Sequence, residues 1–240
     1  YIWINNISYR EKILKELKVK CFNKKIIFDH KPNIIGFENG VFDLDTYSFD
    51  SGNQSDYTTM KCHMIYNEYF DYSLAKSILI DIFQDEYQYA LDIFTLCLYG
   101  KNTKQKMTMN YGFSASNGKS FIMERLKNAF GDYGDTFNVN LLTSKNKNAG
   151  DANSTLINFK NKRLLYCSEP ESKQLLNINL VKTLTGDTIK ARGLYDKNEI
   201  LIEPTFHIFM CCNILPSPDG EDNGFSRRIN ILEFKSRFVD

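Results

Sequence analysis

The run GFSASNGKS, from Gly112 to Ser120, constrains this chain more than any other stretch. Before it lies KMTMNY, which reads as a buried strand; after it, KSFIMERLKNAF places Ile122, Leu126 and Phe130 on one side of a helix. A strand that delivers the chain into a glycine-bearing turn, with a helix leaving it, is what a phosphate loop requires. Backbone N–H groups in the turn and the positive end of the helix then face the anion together. The spacing G-x-x-x-x-G-K-[ST] would put the first glycine at position 113, but that residue is Phe113 and Gly112 lies one place earlier. The Gly118-Lys119-Ser120 core still supplies close backbone approach, a charge for the outer phosphates and a hydroxyl for Mg²⁺. The expectation is a phosphate loop with a shifted first glycine, its candidate nucleotide-binding residues being Gly112, Ser114, Ala115, Ser116, Asn117, Gly118, Lys119 and Ser120. The plainer reading is a Gly-Lys-Ser helix cap with no ligand.

The segments that follow narrow the chemistry. KNKRLLYCSEPES contains an apolar strand, Leu164 to Cys167, that ends at Glu169, where a nucleotide hydrolase places the carboxylate that orients water beside the metal. Ser168 stands where an aspartate is more usual, and Glu171 is a second candidate; a solvated acid at a strand end is the alternative. LVKTLTGDTIKARGLYDKNEILIEP predicts a helical run and then two β-rich pieces around Asp196-Lys197-Asn198. Lys190, Arg192 and Lys197, with Tyr195 nearby, offer cations and an aromatic ring on a hairpin, a combination suited to a single-stranded backbone and its bases. An ordinary solvated hairpin is the competing account. PTFHIFMCCN predicts a buried strand ending in Asn213, whose amide is placed to contact a γ-phosphate or the water. In GFSRRINILEF, Arg227 and Arg228 precede another strand, and an arginine acting on a neighbouring subunit's nucleotide contributes roughly 10³–10⁵ in rate. A surface arginine pair is the plain alternative.

Upstream, Ile13, Leu14, Leu17 and Val19 among alternating charges fit a short, solvated amphipathic helix over Tyr9–Lys20. KKIIFD and NIIGFENGVFDLDTYSF read as strands and a hairpin, with Asn39-Gly40 as the turn signal. Between Tyr72 and Tyr99 the apolar spacing predicts two packed helices, broken near Gln84-Asp85. Short strands alternating with helices then predict an α/β nucleotide-binding unit with a largely parallel sheet, so the expected division is 1–100 for an accessory α+β/helical domain and 101–240 for the nucleotide-binding domain. A balanced formal charge of +1 means that any nucleic-acid contact comes from a local patch. The six cysteines are scattered, which suggests neither a zinc ribbon nor a disulfide framework and points to reduced, intracellular thiols. No apolar run approaches the roughly 20 residues of a membrane-spanning helix. A chain that opens on Tyr1 is expected to be a piece of a longer one.

The order of these elements is more telling than any one of them. SNGKS, SEPES, LTGDTIKAR, FMCCNILP and the RRINILEF run followed by Phe238 together resemble the superfamily 3 helicases of the poxvirus and giant-virus primase–helicase type. FENGVFDL and the helices up to Gly100 resemble the small domain that precedes the ATPase in that family. The resemblance implies an AAA+-like P-loop NTPase core, assembled as a hexameric ring that uses ATP and Mg²⁺ to move on single-stranded DNA and open forked DNA during viral DNA replication. It also implies an intracellular, cytoplasmic setting, and a core whose closing elements fall beyond Asp240. By position, it assigns Lys119 and Ser120 to nucleotide and Mg²⁺, and Glu169 to the metal and the hydrolytic water. Asn213 becomes the nucleotide sensor, Arg227 or Arg228 the residue acting across the subunit interface, and Lys190 and Arg192 the DNA-facing cations. Two other readings compete: a small-molecule kinase, which leaves LTGDTIKAR without a use, and a non-hydrolysing DNA-binding or ring-scaffold module, against which the retained Lys119, Glu169, Asn213 and arginines argue.

Overall fold

A computed structural model of the chain describes residues 6–23, 26–143, 155–170, 174–186, 188–192, 199–220 and 222–238. Helix α1 (Ile7–Cys21) is followed by strands β1 (Ile34–Phe37), β2 (Gly40–Asp43) and β3 (Ser48–Asp50), and by helices α2 (Ser73–Phe83) and α3 (Tyr87–Leu96). Next come β4 (Met107–Tyr111), α4 (Lys119–Phe130), β5 (Gly134–Thr136), α5 (Asn140–Thr143) and β6 (Leu164–Cys167). The remaining elements are α6 (Ile178–Gly186), β7 (Ile189–Arg192), β8 (Glu199–Ile202), β9 (His207–Cys212), α7 (Asn223–Ser226) and β10 (Ile229–Glu233).

The main sheet has five strands in the order β10-β4-β9-β6-β5, and every adjacent pair is parallel. Its central strand shows why: HIFMCC is buried at all six residues of β9, the near-continuous apolar run of a strand covered on both faces. Side chains alternate between those faces. Ile208, Met210 and Cys212 join Met107, Met109 and Leu165 in one core with α6 and the β7–β8 hairpin, whereas Phe209 and Cys211 join Leu164 and Leu232 in a second core. That second core also takes in Ile82 and Phe83 of α2, Ile93 and Phe94 of α3, and Ile122 and Met123 of α4. Phe83 meets Phe234 and Phe94 with centroids 4.8 and 5.8 Å apart, so α2 and α3 are seated on the same sheet face as α4.

A second, antiparallel sheet of β1, β2 and β3 carries the hairpin expected around Asn39-Gly40. It is tied to the main sheet through Arg163 at the entrance to β6. The Arg163 guanidinium donates to the carbonyls of Ile34 and Leu98 and lies 4.5 Å from the Tyr133 ring centroid. Helix α1 buries none of its residues, as its charge pattern predicts. KKIIFD is a correction: residues 26–29 form no strand. Asp29 there takes a left-handed backbone (φ 55°), and its carboxylate accepts N–H bonds from Thr59 and Met60, which turns the chain and overrides local β preference. Among the described residues no helix is long and apolar enough to cross a membrane.

Candidate functional site

Because the strands run parallel, the residues that leave their carboxyl ends gather along one edge of the sheet, the usual position for a ligand crevice in such folds. Gly112 follows β4, Ser168 and Glu169 follow β6, and Asn213 follows β9. The turn between β4 and α4 is built on two glycines with different jobs. Gly118 has φ +87°, a left-handed conformation that a side chain would strain, and a Cβ there would lie 3.2 Å from the Ile82 side chain of α2. Gly112 needs space instead: a Cβ would come within 2.2 Å of Asn117 Nδ2 and 3.1 Å of Lys119 Nζ. Phe113, at the place of the usual first glycine, is 85% exposed and contributes nothing to this packing.

Lys119 opens α4 and is only 8% exposed. Its ammonium donates to Gly112 O at 2.8 Å, Asn117 Oδ1 at 3.1 Å and Asn213 Oδ1 at 2.9 Å. Burial lowers its pKa from the ordinary lysine value, and the neighbouring Cys211, Cys212 and Glu169 oppose that shift. All three acceptors are neutral, which leaves the cation suited to an anionic oxygen. Asn117, buried in the turn, also donates from Nδ2 to Ser114 O at 2.7 Å and so locks the loop around the lysine. Ser116 sits at φ +57°, and Ala115, Ser116 and Ser120 are exposed.

From Asn213 the network continues to the acidic residue. Asn213 donates from its backbone N to Glu169 Oε1 at 3.0 Å and from Nδ2 to Oε2 at 2.9 Å, and Ile214 N adds a bond of 3.2 Å to Oε1. The carboxylate is thereby fixed in direction, with Oε2 holding a single partner among the described residues. Asn213 is the hinge of the arrangement, its oxygen on Lys119 and its amide nitrogen on Glu169. Lys119, Asn213, Glu169 and the loop residues Gly112–Ser120 are thus brought together. Glu171 lies outside the described residues, as do Tyr195 and Lys197. Among the described residues no cluster of three or more His, Cys, Asp or Glu side chains could hold a metal by itself.

The cations called for nucleic acid and for trans action lie elsewhere. Strands β7 and β8 pair antiparallel with Lys190 opposite Leu201 and Arg192 opposite Glu199. Ile189, Ala191 and Ile202 are buried while Lys190 and Arg192 are exposed, so period-two alternation puts both cations on the free face. The hairpin emerges at the opposite sheet edge, where Gly186 packs against Arg228 and Gln105. Arg227 and Arg228 are at that edge too, since Met107 N donates to Arg228 O at 2.9 Å where β4 begins. A five-residue strand separates them from the Gly112–Ser120 loop by roughly 17 Å. Arg227 is exposed; Arg228 is 8% exposed, donates to Gln105 Oε1 at 3.4 Å and has Nε buried without a partner among the described residues.

Residues 4–84 match the family model described as D5 N terminal like, and residues 111–228 match a family of unknown function, DUF5906. The chain is 32% identical over 98% of its length to a protein of Acanthamoeba polyphaga mimivirus provisionally named helicase L207/L206, of which it covers 25%. It is 30% identical over 88% of its length to Primase D5 of Fowlpox virus, of which it covers 28%. The chain therefore spans about a quarter of the length of these relatives. Among solved structures, the NrS-1 C terminal region superposes on 95% of this chain with a TM-score of 0.53, over 52% of its own length and at 17% identity, a likeness of fold.

Proposed function

From a chain that carries a D5 N terminal like segment and is a homologue of helicase/primase D5 proteins of giant viruses and poxviruses, we propose the ATPase region of a superfamily 3 helicase. In this reading it hydrolyses ATP at the interfaces of a hexameric ring, moves on single-stranded DNA and opens forked DNA during viral replication. Residues 1–100 are then the accessory domain and 101–240 the ATPase domain. The observation that carries the reading is the bonded chain from Lys119 through Asn213 to Glu169 at the carboxyl edge of a parallel sheet. It couples a phosphate-binding cation to a candidate general base by one amide.

Each residue then has a task. Backbone N–H groups of Gly112–Ser120 cradle the phosphates, and Lys119 exchanges neutral acceptors for phosphate oxygens. When a γ-phosphate draws Lys119 away from Asn213 Oδ1, the Asn213 amide is free to turn, and it reports nucleotide occupancy directly to Glu169. Glu169, aimed by three N–H donors, orients and deprotonates the attacking water. The donor set fits Mg²⁺ that arrives with its nucleotide: the exposed Ser120 hydroxyl and the free capacity of Glu169 Oε2 would hold it, with phosphate oxygens and water completing the shell. When bound, the ion neutralises charge developing on the phosphates. Arg227, exposed at the far edge and too distant to serve its own chain's loop, is the residue that would reach a neighbouring subunit's nucleotide. Lys190 and Arg192 would meet the DNA backbone.

Glu169→Gln tests the core of this assignment. It keeps one oxygen for the Asn213 and Ile214 backbone N–H groups, gives up the bond from Asn213 Nδ2 and removes the base, so ATP should bind within about tenfold of wild type while turnover falls by at least about 10². Turnover at the wild-type rate would remove Glu169 from the mechanism.

A further inference from the structure

Across the sheet from the phosphate loop, at the amino ends of β6 and β9, a cleft of about 460 Å³ opens between the segment before β1 and the end of β8. Arg163 lines it, with Lys31 and Pro32 from one side, Leu201 and Glu203 from the other, and the exposed Lys160 nearby. The Arg163 guanidinium is 4% exposed; its acceptors are the backbone carbonyls of Ile34 and Leu98, and no carboxylate lies within 4 Å of it among the described residues. Burial disfavours this uncompensated charge and lowers the Arg163 pKa from the ordinary arginine value. The two carbonyl bonds leave further N–H donors of the fork to spare. Gly100 keeps the Nε side open, since a Cβ there would lie 3.3 Å from Arg163 Nε and 3.3 Å from Pro32 Cα. Two other charges of the cleft are already engaged: Lys31 pairs with Asp56 at 3.3 Å, and the Asp29 carboxylate accepts from Thr59 N and Met60 N. Lys160 and Glu203 form no ion pair among the described residues.

We propose that this cleft binds a nucleoside phosphate, with the phosphate on Arg163 and Lys160, the base against the apolar wall of Pro32 and Leu201, and the sugar hydroxyls toward Glu203. A phosphate there compensates the buried guanidinium, whose planar fork matches two phosphate oxygens. The volume falls within the range of about 300–1,000 Å³ usual for small-molecule sites. A bare anion would leave the apolar wall unused, whereas a base would cover part of Leu201, which is 64% exposed. Leu201 is also the cross-strand partner of Lys190, so the cleft opens beside the free face of the β7–β8 hairpin. A free nucleotide and the 5′-phosphorylated end of a strand lying on that face present the same chemistry to it. Because Arg163 and the Gly112–Ser120 loop stand at opposite ends of the parallel strands, this is a second site, independent of the phosphate-loop reading.

The test is titration calorimetry with AMP, inorganic phosphate and the 5′-phosphorylated trinucleotide pApApA on wild type, Lys160→Glu, Leu201→Asp and Lys119→Ala. Lys160 and Leu201 are exposed, so both cleft substitutions leave the core in place. The nucleotide should bind wild type at least about tenfold more tightly than phosphate, and Lys160→Glu and Leu201→Asp should each weaken it by at least about tenfold. Lys119→Ala should leave that binding within about twofold, which separates the cleft from the phosphate loop. AMP bound as tightly as pApApA identifies a free nucleotide; pApApA bound at least about tenfold more tightly, with the same loss in both cleft variants, identifies a strand end. Neither nucleotide binding more tightly than phosphate, or binding that both cleft variants leave unchanged, overturns the proposal. Binding lost in Lys119→Ala would put the nucleotide in the phosphate loop and overturn it as well.

Discussion

Gly112→Ala isolates the claim that the loop's first glycine is displaced because of space rather than spacing. The new methyl group would sit 2.2 Å from Asn117 Nδ2 and 3.1 Å from Lys119 Nζ, so Asn117 must leave its place. Asn117 is only 3% exposed, and moving it breaks its 2.7 Å bond to Ser114 O and the 3.1 Å bond it receives from Lys119. A buried polar group left unmade costs about 1–3 kcal/mol, so two such losses, partly relieved by movement of the loop, amount to about 3 kcal/mol. The share that stays local should weaken ATP binding at least tenfold in titration calorimetry. The share felt globally should lower Tm by roughly 2–4 °C for each kcal/mol. Phe113→Gly, which recreates the usual spacing, should change ATP affinity by less than about twofold, because the Phe113 side chain is 85% exposed. ATP affinity unchanged in Gly112→Ala, or improved tenfold by Phe113→Gly, would refute the packing argument.

Other consequences can be measured separately. His207, 3% exposed and 2.8 Å from Thr108 Oγ1, is pushed down to about 4 by burial. Its folded value lies below the unfolded value of about 6.5, so the unfolded state binds the extra proton; stability is full above pH 6.5 and falls by about 3 kcal/mol as pH drops to 4. Denaturant midpoints that stay flat between pH 6.5 and 5 would contradict that burial. Lys190→Ala with Arg192→Ala should reduce the salt slope of single-stranded DNA binding by about 1.4, two phosphate contacts' worth, and an unchanged slope would move the DNA contact elsewhere. Arg227→Ala mixed with Lys119→Ala should recover turnover that neither has alone, since a mixed interface pairs an intact lysine with an intact arginine; a verified mixed ring without recovery would count against action across subunits.

What was legible in the sequence was local in origin. The strand KMTMNY, the helix from Lys119 to Phe130 and the acid at the end of LLYC are set by patterns within a few residues, and they stand where the sequence places them. The two helices broken at Gln84 also follow from periodicity alone. Less visible were features made by distant segments meeting. Asn117 counted as one loop residue among eight, yet its bonds to Ser114 and Lys119 decide why position 112 must be glycine. Strand β5, three residues at a sheet edge, has no periodic signal to read. The arginine pair looks symmetric in sequence, whereas burial against Gln105 separates Arg228 from the exposed Arg227. The part played by α2 depends on a tertiary contact with Gly118 that local sequence does not encode.

Whether this loop drives a DNA-coupled reaction is read from steady-state ATP hydrolysis with and without single-stranded DNA, with Lys119→Ala measured alongside. Turnover that rises with DNA and disappears in Lys119→Ala is the predicted result. Turnover indifferent to DNA, or surviving loss of Lys119, would contradict a DNA-driven ATPase built on this loop.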